Sequence, residues 1–257
     1  MKTKSPYFNV NPLIAALQFL TIIPIPVPVS QTDMEKALPW FPVAGLVNGL
    51  IAAMIFALAH ALGFPPMMAG LLGVLALSFS NGFFHLDGVA DTADGLLSAR
   101  PKTQILEIMR DSRIGTMGFV GLFFILGLKW SALASMAPGI GWRALIVSAV
   151  VARCAQVLTM GLLPYARKEG GLASIFLKSR MPAHMVIVSV FGLLLAAAMA
   201  GVYGIFAVLA AIVAAVVFNG ICMAKIDGIT GDTLGALTEI VETTMLCVIS
   251  VAFLGGV

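Results

Sequence analysis

Charged residues are scarce in this sequence. They make up 11% of its 257 residues, whereas a soluble globular domain carries about 25%. Hydrophobic residues make up 60% and the mean hydropathy is +1.03. Several apolar runs reach the roughly 18 or more residues needed to cross a bilayer core about 30 Å thick. We therefore expect a polytopic integral membrane protein.

The number of cysteines and the net charge are also low. The first argues against disulfides and zinc sites, and the second against a nucleic-acid partner. The three cysteines, Cys154, Cys222 and Cys247, lie in apolar stretches without CxxC spacing, so neither a disulfide framework nor a zinc site is predicted. A formal net charge of +3 is too small to indicate a nucleic-acid partner. Nothing in the sequence indicates an oligomeric state.

The apolar runs predict an all-α helical bundle with about seven transmembrane helices, forming a single transmembrane domain over residues 1–257. The predicted spans are residues 41–63, 66–84, 115–137, 140–163, 183–200, 202–223 and 235–256. Residues 13–29 are also apolar, but three prolines interrupt them. This favours an N-terminal interfacial or re-entrant segment over an eighth span.

The charges divide unequally between the two sides of this bundle. Short charge-free connections alternate with the charged segments 86–114, 164–182 and 224–234, which places these three segments and the first 40 residues on one face. That face carries twelve of the 15 basic residues: Lys2, Lys4, Lys36, Arg100, Lys102, Arg110, Arg113, Arg167, Lys168, Lys178, Arg180 and Lys225. The positive-inside rule makes it cytoplasmic. The exceptions are Lys129, Arg143 and Arg153, of which we expect the first two to snorkel from helix ends to the opposite surface.

Three aspartates share one helical face within residues 85–100. At 100° per residue, Asp91 and Asp94 lie about +40° and −20° from Asp87, and no basic residue follows any of them at the fourth position. A solvated acidic surface is usually balanced by such partners. Oxygen ligands on one stripe suit Mg²⁺ or Mn²⁺ far better than zinc. His85 points about 160° away from the stripe, so a role for it as ligand or base stays open.

Charged residues downstream extend this candidate site. Asp111 is a fourth carboxylate, and it stands near Arg100, Arg110 and Arg113 in the sequence. Phosphoryl transfer requires a metal facing guanidinium groups, because both neutralise phosphate oxygens. For Arg110 and Arg113 the alternative is anchoring to anionic lipid headgroups.

Two further segments carry polar residues to the same face. The loop with Arg167 fits a phosphate contact and a plain cytoplasmic loop equally well. Between Lys225 and Gly235, Thr230 and Asp232 stand among three glycines, which favours a substrate site over simple helix packing. Glu239 follows Asp232 by seven residues and therefore shares its helical face, so it is expected to point into the bundle.

Together these motifs resemble the cobalamin synthase family, adenosylcobinamide-GDP ribazoletransferase, along nearly the whole chain. The most specific is His85-x-Asp87-Gly88-x-Ala90-Asp91-Thr92-Ala93-Asp94-Gly95. The others fall at residues 19–21 with the proline-rich tail, 41–45, 111–118, 164–170 and 230–236.

The resemblance implies a multi-pass catalytic domain in the bacterial cytoplasmic (inner) membrane, with its site on the cytoplasmic face. Its implied reaction joins adenosylcobinamide-GDP to α-ribazole, or its 5′-phosphate, and releases GMP with the help of Mg²⁺, as the last assembly stage of cobalamin biosynthesis. The resemblance implies metal binding by Asp91 and Asp94. Together with the acidic stripe it predicts Asp87, Asp91, Asp94 and Asp111 as metal ligands, with Asp111 either a further ligand or the general base. Asp91, Asp94 and Asp111 are the expected catalytic residues. The expected substrate-binding residues are Arg100, Arg110, Arg113, Arg167, Thr230 and Asp232.

Two alternatives remain open. The acidic string is similar to the CDP-alcohol phosphotransferase signature DxxDGxxAR…GxxxDxxxD, which would indicate a phospholipid enzyme. However, three residues rather than two separate Gly95 from Ala99-Arg100, and no DxxxD follows Gly118, so the base of that signature does not carry over. A cation-coupled transporter is the other alternative, but no internal repeat is apparent and the carboxylates gather at one face.

Overall fold

The computed structural model describes residues 11–179 and 181–254, and its regular elements there are helical apart from one isolated bridge between Tyr165 and Ile229. The α-helices are α1 (Asn11–Leu20), α2 (Gln31–Glu35), α3 (Phe41–Ala61), α4 (Pro66–Ser80), α5 (Phe84–Leu96), α6 (Lys102–Ile108), α7 (Thr116–Ser135), α8 (Pro138–Leu162), α9 (Pro182–Ile226) and α10 (Gly231–Leu254). Leu38–Trp40 and Leu172–Ser179 form 3-10 helices. The predicted all-α membrane bundle is confirmed.

Five of the described helices are individually long and apolar enough to cross a bilayer: α3, α7, α8, α9 and α10. Helix α9 has 45 residues, about twice the length that the bilayer core requires. Its helical geometry breaks at Gly201, where φ is 60°. A Cβ on Gly204 would overlap the carbonyl oxygen of Ala196, so the limbs 182–200 and 202–226 fold back against each other. They correspond to two of the predicted spans.

Helices α4 and α5 meet at 89°, and the turn between them lies at Gly82 and Phe83, both with positive φ. Helix α4, apolar but only 15 residues long, supplies a further candidate crossing, while α5 lies across its end and packs against α7 and α10. When the two limbs of α9 are counted separately, the described helices supply seven candidate crossings, the number predicted. Helix α1 has ten residues and is too short to span a bilayer, which agrees with the predicted interfacial or re-entrant segment.

Ion pairs join the charged segments to one another at one end of the bundle. Lys102 of the first pairs with Asp227 of the third at 3.2 Å, Arg110 pairs with Glu169 of the second, and Lys178 pairs with Glu35 of the N-terminal region at 2.7 Å. The described contacts therefore support the predicted gathering of these segments on a single face. Of the predicted basic set, Lys2, Lys4 and Arg180 lie outside the described residues.

A second group of charges is buried within the bundle. Lys129 Nζ of α7 lies 2.5 Å from Glu239 Oε2 and 2.6 Å from Glu242 Oε2 of α10, and these three side chains are at most 1% exposed. Arg153 of α8 is also fully buried, with its Nη1 3.8 Å from Glu242 Oε1. The predicted inward orientation of Glu239 is confirmed.

The expectation that Lys129 snorkels is wrong. Two carboxylates on a neighbouring helix compensate its charge locally, and this removes the need to reach the surface. Arg143, in contrast, is exposed near the start of α8 and lies over the ring of Trp142 at 5.2 Å.

Substitution of Lys129 by methionine should strongly destabilise the bundle. It leaves two buried carboxylates with only Arg153, whose Nη1 lies 3.8 Å from Glu242 Oε1, to offset their charge. Breaking a buried ion pair from one side costs about 3–5 kcal/mol. We expect the midpoint of thermal unfolding in detergent to fall by about 6 °C or more. Arg143→Met is the matched control and should change the midpoint little; an equal effect of the two substitutions would contradict a stabilising role for the buried cluster.

Candidate functional site

The acidic stripe, defined as Asp87, Asp91 and Asp94, lies on α5 at the charged end of the bundle. Asp87 is exposed, whereas Asp91 and Asp94 are half-buried. Helix α5 reaches α10 through a close backbone contact: a Cβ on Gly88 would lie 2.6 Å from the carbonyl oxygen of Asp232. A larger residue at position 88 would push the helices apart, so this glycine keeps the stripe beside the first turn of α10.

Asp94 is held by the beginning of α7. Its two carboxylate oxygens accept hydrogen bonds from the backbone amides of Gly115, at 2.7 Å, and Gly118, at 2.9 Å. These amides belong to the first turn of α7, where backbone N–H groups lack partners within the helix. A carboxylate is well suited to this position, since it also interacts favourably with the helix dipole. Asp94 therefore holds Gly115 and Gly118, at the start of α7, against α5.

Asp91 is the most electrostatically crowded carboxylate of the stripe. Burial, together with the negative charges of Asp87, Asp232 and Asp94, raises the pKa of Asp91 to about 7, while Arg167 acts in the opposite direction. Carboxylates so close together repel one another unless a proton or cation compensates them. The crowding therefore favours cation binding at the stripe.

The loops after α8 and α9 bring a second set of predicted residues to the stripe. Ala166 donates to the carbonyl of Ile229 at 2.8 Å, and this backbone pairing places Arg167 beside the start of α10. Arg167 Nη2 lies 2.8 Å from Asp232 Oδ2, and Thr230 Oγ1 lies 3.3 Å from the same oxygen. The structure thus brings together three of the predicted substrate-binding residues: Arg167, Thr230 and Asp232.

The other predicted site residues make no described hydrogen bond or ion pair with the acidic stripe. Asp111 pairs with Arg113 at 2.6 Å, and the hydrogen bonds from Arg113 lower the pKa of Asp111 to about 2. Arg110 pairs with Glu169, and Arg100 is exposed four residues beyond the end of α5. Asp111 and Arg113 precede Gly115, which contacts Asp94, by four and two residues. The described hydrogen bonds and ion pairs do not join them or Arg100 to the carboxylates of the stripe.

The donor chemistry of the stripe fits a hard divalent cation, but the site is not a preformed cage. Within residues 11–179 and 181–254, no three His, Cys, Asp or Glu side chains converge closely enough to hold a metal ion. Mg²⁺ commonly takes one or two protein carboxylates and completes its shell with water and phosphate oxygens. Asp91 and Asp94 fit this open kind of site, since each carboxylate retains free lone pairs.

Sequence reasoning missed two features of the site. The amides of Gly115 and Gly118 are the partners of Asp94, and their spacing of three residues at a helix start is the signal that could have revealed them. His85, which was left open, is fully buried, and neither ring nitrogen has a hydrogen-bond partner among the described residues. The three cysteines are free, and Cys154 and Cys222 are buried.

Comparison with known proteins places this arrangement in a family. The model of the family described as cobalamin-5-phosphate synthase matches residues 12–250. The chain belongs to that family. Three relatives named adenosylcobinamide-GDP ribazoletransferase come from Clostridium novyi (36% identical, covering 90% of this chain and 92% of the relative), Roseiflexus sp. (38%, covering 94% and 90%) and Klebsiella pneumoniae (36%, covering 92% and 98%). No solved structure matches the chain.

The family match runs from α1 into α10 and includes both groups of site residues. In this member of the cobalamin-5-phosphate synthase family, the acidic string forms the stripe on α5, and the string at 111–118 supplies the amides that hold Asp94. The two motifs therefore act as one structural unit.

Gly118→Ala should disrupt this unit. The added Cβ would overlap Asp94 Oδ2 and would lie 2.9 Å from the carbonyl oxygen of Ala90, so α5 and α7 would have to separate. Overpacking of this kind costs about 1–3 kcal/mol, which should lower the thermal unfolding midpoint by about 2 °C or more. Gly127→Ala on the same helix is the control, because its Cβ would meet nothing within 4 Å. Similar midpoints for the two variants would show that the close approach of α5 and α7 is not required.

Proposed function

We propose that this protein joins adenosylcobinamide-GDP to α-ribazole, or to its 5′-phosphate, and releases GMP in a Mg²⁺-dependent reaction. The observation that carries the proposal is the crowded acidic stripe held beside the Arg167–Asp232 pair at the charged end of the bundle. The names and the 36–38% identity of the three relatives support the same reaction.

In this proposal a ribose hydroxyl of ribazole attacks the phosphorus nearest the cobinamide. A new P–O bond forms, the P–O bond to GMP breaks, and the hydroxyl proton leaves with a base or water. The protein contributes mainly by positioning and by charge neutralisation, since phosphoryl transfer needs little covalent help from the enzyme. When bound, Mg²⁺ supplies neutralisation of the diphosphate oxygens.

Each residue has a specific part in the proposed reaction. Asp91 and Asp94 hold the metal, and Asp87 at the exposed end of the stripe is a further ligand. The Gly115 and Gly118 amides keep Asp94 oriented toward the site. Asp111 serves as an additional ligand or as the general base once Arg113 turns from it to a phosphate oxygen, because an aspartate with a pKa near 2 is a poor proton acceptor while that ion pair persists.

The arginines bind phosphate oxygens in this scheme. Arg167 is partly buried, with a side chain 12% exposed, so its interaction with a phosphate would be less screened than that of Arg100, Arg110 or Arg113. Asp232, which accepts a hydrogen bond from the Thr230 hydroxyl, holds Arg167 in place and lines the ribazole side of the site. The positive-inside distribution supports placing this end on the cytoplasmic side of the bacterial inner membrane.

The decisive experiment supplies the purified protein in lipid vesicles with adenosylcobinamide-GDP, α-ribazole and Mg²⁺. The proposal predicts stoichiometric GMP and cobamide, and loss of both products when EDTA is present. Incorporation of a CDP-alcohol into lipid would instead indicate the phospholipid enzyme. Uptake of substrate without GMP would indicate the transporter.

Asp91→Asn and Asp94→Asn should each lower kcat by about a hundredfold or more, since loss of a metal ligand removes transition-state stabilisation of about 3 kcal/mol. GMP release from single variants in lipid measures the effect. Glu107→Gln is the control, because Glu107 is an exposed carboxylate on α6 and should leave the rate unchanged. Rates for the aspartate variants within about tenfold of wild type would count against the metal assignment.

A further inference from the structure

A cavity of about 240 Å³ lies at the charged end of the bundle. Residues of α1, α8, α10 and the 3-10 helix Leu172–Ser179 contribute to its lining. Four phenylalanines line it: Phe19, Phe41, Phe84 and Phe176. Their rings contact one another, with centroid separations of 4.7 Å for Phe19 and Phe176 and 5.1 Å for Phe41 and Phe176. The motif residues Phe19 and Phe41, which the acidic stripe does not use, thus contribute to an aromatic-walled space.

Polar groups are confined to a few positions in this cavity. Gln156 and Arg167 both line it, and Gln156 is 3% exposed. Its Nε2 donates to the carbonyl of Leu234 at 3.3 Å. Its Oε1 and the Nε of Arg167 are buried and have no hydrogen-bond partner among the described residues. Buried polar atoms are normally paired, so these two atoms indicate a ligand with hydrogen-bonding groups.

The cavity borders the acidic site at Asp232. Asp232 lines the cavity, its carbonyl oxygen lies against Gly88 of α5, and its carboxylate binds Arg167 at 2.8 Å. A molecule whose ring lay among the phenylalanines would therefore place its polar end beside the stripe, where the proposed transfer takes place.

The size and lining of the cavity indicate which part of the two proposed substrates it can bind. An apolar cavity of about 150 Å³ holds benzene, so 240 Å³ has room for a fused two-ring base but not for a whole nucleotide or a corrin ring. Guanine carries hydrogen-bonding groups along most of its edges and would leave many of them unpaired against phenylalanine. The aromatic base of ribazole is largely apolar and has no such requirement.

We propose that this cavity binds the base of ribazole, with its ribose directed toward Gln156, Arg167 and Asp232. The inference rests on the proposed function and adds to it the location of the acceptor nucleoside. The ring stacks against the phenylalanines, and a ribose hydroxyl reaches the acidic stripe. A 5′-phosphate, where present, lies within reach of Arg167.

Filling the cavity tests this inference. Ala173 lines the cavity and is 7% exposed, so Ala173→Leu places a larger side chain inside it. We expect the KM for α-ribazole, and its Kd measured by equilibrium dialysis without the second substrate, to rise about tenfold. The KM for adenosylcobinamide-GDP should stay within about twofold.

Two further variants distinguish an effect on binding from a folding defect. Phe84→Leu changes a ring that lines the cavity but is 42% exposed, so it should weaken α-ribazole binding with little effect on the thermal unfolding midpoint. Phe56→Leu is the control: Phe56 is fully buried but packs elsewhere in the bundle, and it should leave both KM values unchanged.

Each contrary outcome has a distinct meaning. A rise in the KM for adenosylcobinamide-GDP alone would assign the cavity to the guanine nucleotide and overturn the inference. Unchanged constants for both substrates in the Ala173 and Phe84 variants would show that the cavity is a packing feature. If the wild-type protein releases no GMP from the two substrates, the proposed function itself fails, whatever the cavity variants show.

Discussion

The buried ion pairs between Lys129 and the two glutamates of α10 are the constraint on which the arrangement of this protein depends. Charges in an apolar bundle are costly unless they are paired at close range, and Lys129, Glu239 and Glu242 satisfy one another across α7 and α10. Arg153 adds α8 to the same group. Helices α7 and α10 also form the surface on which α5 lies, so this pairing determines where the acidic stripe can be.

The site is assembled from close backbone contacts above that cluster. Gly88 lets α5 approach α10, and the Gly115 and Gly118 amides hold Asp94 at the start of α7. The result is a row of partly desolvated carboxylates that have no basic partner on their own helix. Beside them lies Arg167, which Asp232 holds in place. Such a site is suited to a substrate that brings its own phosphate oxygens to complete the metal shell. The aromatic cavity beside Asp232 supplies an apolar space next to this charge.

Much of this organisation could be predicted from the sequence. Hydropathy indicated the spans, and the distribution of charge indicated the common face of the charged segments. Both could be predicted because apolar residues face lipid and charged segments face water. The stripe followed from helical periodicity alone. Lys129 could not be placed correctly, since periodicity shows which face a residue occupies but not which charge lies opposite on another helix. The amide partners of Asp94 and the aromatic cavity are also products of packing between distant segments, and no local pattern encodes that packing.

The central proposal is that Asp91 and Asp94 bind a divalent ion against the diphosphate of a nucleotide-linked substrate. The most direct measurement is an experimental structure of the protein in lipid with Mg²⁺ and adenosylcobinamide-GDP. The account predicts density for an ion held by the carboxylates of Asp91 and Asp94, beside the diphosphate and with Arg167 nearby. An ion and nucleotide bound away from α5, with these aspartates directed to water or lipid, would contradict it.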